Sequence, residues 1–269
     1  MNARIPPKSR LEGKRVTLVG LGALGSQLAI SLARNLCGEL DLVEHEAIEP
    51  GNTVRWALGA SAWGLSKLEA LTAHLQREYP RTVTRPYEIW IGGTAEDEEL
   101  DHRHELDRLI RNSDLVVDAC GSYDVTVFLG GLCNAAGIPM VSGYGTGMPL
   151  QGGVAALYRP GSGCPVCLEW AIHRGQVDRP PGYDDASGAV QPPGCGKPTF
   201  QAADYEIMQI GLQVMRLVSE AALSPGRGQE SAVHILSFAD DQGRPLPWWR
   251  AESLPVHREC GSTNEETAA

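Results

Sequence analysis

Residues Arg15 to Arg55, RVTLVGLGALGSQLAISLARNLCGELDLVEHEAIEPGNTVR, constrain the fold more tightly than the remainder of the chain. Val16 to Val19 is a short apolar run. Gly20, Gly22 and Gly25 follow in the spacing G-x-G-x-x-G, and Leu24, Leu28, Leu32 and Leu36 then recur every four residues. The run fits a buried strand, and leucines at that interval form one face of a helix. Glycines between the two let the backbone turn sharply and approach a phosphate, with a helix N-terminus pointed at it. Leu40 to Val43 is a second strand, and the acids Glu44 and Glu46 lie at its end. The pattern specifies an open α/β sheet with a nucleotide crevice at one edge.

The alternation continues. Ser66 is placed to cap a helix from Lys67 to about Arg77, which Tyr79-Pro80 ends. Thr82 to Trp90 reads as extended, Glu105 to Arg111 as helix and Leu115 to Asp118 as a buried strand. A helix around Val125 to Ala136 and a strand near Ile138 to Ser142 follow. This order predicts a Rossmann-like, doubly wound, mainly parallel sheet with helices on both faces. Beyond it, Gly143 to Gly153 is rich in glycine and Val154 to Tyr158 reads as an antiparallel strand. His173 to Pro198 reads as a long mobile loop, of the kind that is usually functional, and Phe200 to Val218 as a helix. His234 to Phe238 and Trp248-Trp249 add edge strands, so the antiparallel additions lie on the C-terminal side. With no internal repeat or linker, residues 1–260 are expected to form one domain and 261–269 a disordered tail.

Composition narrows the classes. At 269 residues and 42% hydrophobic, the chain can bury one large core. No apolar run reaches membrane-spanning length, and Met1 to Arg10 lacks the apolar segment of a signal peptide, so a cytoplasmic location is expected. Seven cysteines, an odd number, favour metal or thiol chemistry over a disulfide framework. A net charge of −10 argues against nucleic acid as the principal partner.

A glycine turn followed by a strand-end acid is also what a nicotinamide or flavin dinucleotide site requires, the acid holding the ribose hydroxyls. Glu44 and Glu46 meet that need, although either could be a solvated strand-end acid. The continuation is different. Asn52 and Arg55 lie just beyond the acids, and Lys67 opens the next helix. Arginine offers planar, multidentate contact to phosphate oxygens and lysine a compact charge. Two cations beside a ribose-holding acid suit a triphosphate whose pyrophosphate must leave.

The motifs in order are GLGALG at Gly20 to Gly25, Glu44-His45-Glu46, Asn52-x-x-Arg55, Lys67, DLVVDA at Asp114 to Ala119 and IPMVSG at Ile138 to Gly143. The Cys164/Cys167 pair and the helix after Cys195 complete the series. By these the chain resembles the ThiF/MoeB-type adenylyltransferases, which include ubiquitin-activating enzymes and their bacterial relatives. The likeness runs from about Leu11 to Val218. It implies a homodimer that uses ATP and magnesium to adenylate the C-terminal glycine carboxylate of a small ubiquitin-like protein. It assigns the ribose to Glu44, where the family commonly has Asp, with help from Glu46. It gives Asn52, Arg55 and Lys67 the phosphates and the charge developing at the α-phosphorus. No general base is needed, because the attacking carboxylate is already ionised at neutral pH. One position departs: the family's magnesium-binding Asp falls at Gly121, leaving Asp118 or Asp124 for the metal. Arg4 and Arg10 match the place from which resembling dimers lend an arginine to the neighbouring site, but here they read as idle.

Cys164-Pro-Val-Cys167 lies between glycine-rich turns and suits zinc; a redox pair or two unconnected thiols are the alternatives. The partner pair that the resemblance implies is incomplete, with Cys260 present and Thr263 in the other place. His257 is the candidate fourth ligand, unless the site is degenerate and holds no metal. Cys195, in GCGKPTF, has glycines on both sides and precedes a helix N-terminus and Lys197, both of which depress a thiol pKa. The resemblance makes it the thiol that attacks the acyl-adenylate to form a thioester, or that joins in sulfur transfer. An inert loop cysteine or a third zinc ligand are the other readings. Cys37, Cys120 and Cys133 read as core residues in helix or strand, His102 and His104 as solvated, and Trp248 and Trp249 as edge packing.

The leading expectation is activation of a ubiquitin-like protein, with Cys195 passing it to a conjugating-enzyme-like partner, as in bacterial operons used in antiviral defence. These 269 residues contain no ubiquitin-fold or rhodanese-like segment, so the product is expected to go to a separate protein. Activation of a sulfur carrier for thiamine or molybdopterin synthesis is the nearest alternative. An NAD-dependent oxidoreductase uses the glycines and Glu44 but leaves Arg55, Lys67 and the C-x-x-C pair without a role. A non-catalytic scaffold is the reading that Gly121 allows.

Overall fold

A computed structural model gives the fold of residues 4–92, 103–190, 201–223, 230–240 and 242–261. Its regular elements are β1 (Arg15–Val19), α1 (Ala23–Arg34), β2 (Glu39–Val43), α2 (Lys67–Glu78), β3 (Val83–Tyr87), α3 (Arg103–Arg111), β4 (Leu115–Asp118) and α4 (Tyr123–Ala136). They continue with β5 (Met140–Thr146), β6 (Gly152–Tyr158), α5 (Pro165–His173), α6 (Asp204–Leu223), β7 (Ala232–Ser237) and β8 (Trp248–Ser253). The strands join in one sheet, in the order β3-β2-β1-β4-β5-β6-β7-β8. The first five run parallel, and β6, β7 and β8 are added antiparallel. Val19 lies level with both Val43 and Asp118, so β1, β2 and β4 finish at a common edge. Chain order reverses between β1 and β4, the kind of place at which open α/β sheets bind ligands.

Side chains alternate across the strands, and each face has its own core. Leu18, Leu42 and Val117 pack with α1, α2 and α6. Val116, Met140 and Val154 pack with α3, α4 and α5. The glycines near 143–153 serve this packing. A Cβ on Gly143 would lie 2.4 Å from Val214, and one on Gly153 2.6 Å from Ile210, so bare backbone lets α6 settle onto β5 and β6.

Several expected boundaries move. α1 ends at Arg34, and Leu36 lies beyond it with a left-handed φ of 63°. Cys164 to Cys167 is the first turn of α5 and not a loop between turns, because Pro165 at the first helical position starts a helix readily. β7 lies between β6 and β8, which leaves β8 alone at the edge. Residues 174–189 form no helix or strand, yet they are fastened to the β5–β6 turn. Thr146 Oγ1 donates to Pro181 O at 2.7 Å, and Met148 N to Asp185 O at 2.8 Å. Cys195 and Lys197, Thr263 and the tail after Gly261, and His102 all lie outside the described residues. No described helix is long and apolar enough to cross a membrane.

Candidate functional site

Three residues separate β1 from α1, and the glycines there divide the work. Gly20 has φ +84°, and a Cβ on it would lie 2.7 Å from the Cys120 backbone, so it carries the turn across the end of β4. A Cβ on Gly25 would meet Gly20 O at 1.8 Å, so its absence seats α1 against the turn. A Cβ on Gly22 would meet nothing within 4 Å among the described residues. No side chain caps the N-terminus of α1 there, which leaves its first N–H groups for an anion.

Glu44, 7% exposed at the end of β2, bonds to this turn. Its Oε2 accepts from Leu21 N at 2.8 Å, and its Oε1 accepts from His45 N at 2.8 Å and Glu46 N at 3.1 Å. A carboxylate has about four lone-pair positions, so room remains for about one ribose hydroxyl. The segment that follows is a single 3₁₀ turn, Pro50–Val54. Asn52 Oδ1 accepts from Glu49 N at 3.0 Å, and Asn52 O accepts from Arg55 N at 3.0 Å. Two contacts then lock this turn to the glycine turn: Trp56 Nε1 donates to Leu21 O at 2.6 Å, and Ala57 N donates to Ser26 Oγ at 3.2 Å. The sequence reading marked neither Trp56 nor Ser26; a lone Trp after an Arg and a Ser inside a helix carry no distinguishing signal. Lys67, buried at the start of α2, pairs through Nζ with Glu46 Oε2 and donates from its backbone N to Glu46 O at 3.0 Å. The glycine turn, Glu44, Glu46, Lys67 and the segment of Asn52 and Arg55 thus form one connected edge.

Asp118 is turned into the protein. It is 2% exposed, and its Oδ1 accepts from Cys120 N at 3.1 Å and Cys120 Sγ at 2.8 Å, while Oδ2 accepts from the Thr126 hydroxyl. Burial raises its pKa, and these donors oppose the rise. Asp124 is exposed in the first turn of α4. Cys120 follows β4 and lies outside helix and strand, against expectation, and burial together with Asp118 pushes its pKa up. Cys37 and Cys133 are buried, with pKa values pushed up to about 12, although Cys37 too lies outside helix and strand, between α1 and β2. His104 is exposed, and Trp248 and Trp249 lie on β8. Arg10 donates from Nε to Ile5 O at 2.8 Å, within its own segment.

On the α5 side, Cys164, Cys167 and Cys260 converge, with all three sulfurs within 4.8 Å of one another. Cys164 Sγ lies 3.6 Å from each of the others. That is far beyond the ~2 Å of a disulfide. It approaches the ~3.8 Å edge that four sulfurs take when each is ~2.3 Å from a tetrahedral zinc, so these thiols fit such an ion. His257 does not join them as expected. Its ring stacks on Trp170 at 4.3 Å, and its Nδ1 accepts from Glu259 N at 3.2 Å. Its backbone N–H instead points at Cys167 Sγ, 3.4 Å away.

Glycine turn, strand-end acid and the reversal of strand order together define a Rossmann-like α/β protein. The chain belongs to the ThiF family, whose model matches residues 4–190. Protein y4qC of Sinorhizobium fredii is 38% identical over 264 residues, covering 96% of this chain and 45% of that protein. The molybdopterin-synthase adenylyltransferase of Escherichia coli is 31% identical over 160 residues, 59% of each chain. The E. coli MccB structure with ATP matches with a TM-score of 0.62 at 15% identity, over 96% of this chain and 68% of that one. That likeness shows the fold. The chain spans a little under half the length of y4qC.

Proposed function

We propose that this chain is an ATP-dependent adenylyltransferase that activates the C-terminal carboxylate of a small protein or peptide. The observation that carries the reading is the docking of the turn that carries Arg55 onto the glycine turn, which brings a cation's segment to the same edge as Glu44, the acid this reading gives to the ribose. Its membership of the ThiF family and its likeness to the molybdopterin-synthase adenylyltransferase support the same reading. In the reaction a carboxylate oxygen attacks the α-phosphorus of ATP, the α–β anhydride breaks, and pyrophosphate leaves. Glu44 holds a ribose hydroxyl, the N-terminus of α1 faces phosphate across Gly22, and Arg55 and Lys67 offset the charge on the departing pyrophosphate. Asp124 fits magnesium better than Asp118, whose oxygens are already engaged; bound there, magnesium would screen the phosphates. Cys164, Cys167 and Cys260 would hold a zinc ion, whose part would be structural.

The finer reading is a homodimer that activates a ubiquitin-like protein. The Cys195 sulfur attacks the acyl carbonyl, AMP leaves, and the resulting thioester passes its acyl group to a conjugating partner in bacterial antiviral defence. Sulfur-carrier activation is the second reading, favoured by the identity to the molybdopterin-synthase adenylyltransferase. Exchange of labelled pyrophosphate into ATP, with candidate carriers ending in Gly-Gly, tests the proposal. Arg55→Ala and Lys67→Ala should each lower exchange by about 100-fold, the usual scale for one transition-state charge contact. No exchange with any such carrier, together with tighter binding of NADH than of ATP, sinks it.

A further inference from the structure

Leu21, in the middle of the glycine turn, has both of its peptide groups claimed. Its N–H donates to Glu44 Oε2 at 2.8 Å, and its C=O accepts from Trp56 Nε1 at 2.6 Å. Trp56 is 4% exposed, and its indole has only that one donor. It is also the residue bonded to Arg55, and its own N–H donates to Asn52 O at 2.9 Å, which closes the turn that carries Arg55. Ala57 continues the attachment through Ser26 Oγ at 3.2 Å, one residue beyond Gly25. The Arg55 backbone is therefore referenced to the glycine turn through the Leu21 carbonyl, while Glu44 holds the same residue through its N–H.

We infer that Trp56 is a positioning residue. Its indole N–H sets the register between the Arg55 turn and the glycine turn, so that phosphate contacts from both are made by one rigid unit. The inference rests on the adenylation reading and names what aligns its phosphate site. Trp56 itself touches no substrate. If its donor is lost, the Leu21 carbonyl is left without it and the Arg55 turn is free to shift. The damage falls on the β- and γ-phosphates, while the ribose contact through Glu44 stays intact.

The test compares ATP with AMP, both measured by calorimetry on the purified full chain. Trp56→Phe keeps most of the ring and removes the donor. It should weaken ATP binding about tenfold, the effect of one lost buried hydrogen bond, and leave AMP affinity unchanged within twofold. Trp56→Gln restores a donor on a smaller side chain. It should bind ATP more tightly than Trp56→Phe even if it melts at a lower temperature, an ordering that a purely structural role does not give. If Trp56→Phe does not fold, folded Trp56→Gln carries the test, and a tenfold loss of ATP affinity in it overturns the inference. Equal weakening of ATP and AMP in Trp56→Phe, or no weakening of either, overturns it alone. A wild-type protein that binds neither nucleotide overturns the adenylation reading as well.

Discussion

Burial raises the pKa of Asp118, and the donors from Cys120 and Thr126 pull it back without restoring the ordinary value. A carboxyl whose folded pKa lies above its unfolded one favours the folded state most when protonated. Stability from this group is therefore greatest below the unfolded value of about 4 and declines as pH rises toward the folded value, after which the cost is constant. Asp118→Asn removes that cost. Its amide can keep the acceptor for Cys120 N and donate to the Thr126 hydroxyl, which is also 3.0 Å from Ser122 O and can turn its proton there. The variant should melt at or above the wild-type temperature at pH 7, with the difference shrinking as pH falls toward 4. Pyrophosphate exchange should stay within about threefold of wild type if Asp124 carries the magnesium. A hundredfold loss in the folded variant would place the metal on Asp118 instead.

Among the elements, β1, α1 and the glycine turn were the most legible from sequence. A continuous apolar run, a four-residue leucine interval and a G-x-G-x-x-G spacing each have one physical meaning, and all three agree. What spacing did not reveal is that the three glycines do different jobs. Gly25→Ala forces a Cβ to within 1.8 Å of Gly20 O, so it should lower the melting temperature by about 5 °C or more and abolish ATP binding. The Cβ of Gly22→Ala would meet nothing within 4 Å among the described residues, so the variant should melt like wild type yet bind ATP at least tenfold more weakly, the methyl group standing where the adenylation reading places the phosphate. Equal ATP affinity in Gly22→Ala would move the phosphate elsewhere. α5 was missed for a local reason, since Gly163-Cys164-Pro165 reads as a turn until Pro165 is seen to start a helix. The Trp56 and Ser26 contacts were invisible because they join residues 35 and 31 positions away, through atoms that periodicity does not sense.

For the molecule as a whole, alternation in the sequence set the parallel half of the sheet, and the antiparallel strands expected on the C-terminal side are present as β6, β7 and β8, with α6 seated on the glycines of β5 and β6. Three cysteines bring the chain after β8 to the start of α5: Cys164 and Cys167 lie in the first turn of α5, and Cys260 comes after the last strand. Cys260→Ser should reduce bound zinc well below one ion per chain by elemental analysis and lower the melting temperature by about 5 °C or more. An unchanged zinc content would place the ion on other ligands. The position of β8 gives this clip a second importance. β8 ends the sheet on its antiparallel side, no strand among the described residues pairs with its outer edge, and the residues just after it lead back to Cys260. Unpaired ladders recruit foreign chains. If a metal joins the Cys260 sulfur to those of Cys164 and Cys167, as proposed, the clip is also a guard against aggregation, and a chelator should cloud a concentrated solution before it unwinds a single helix.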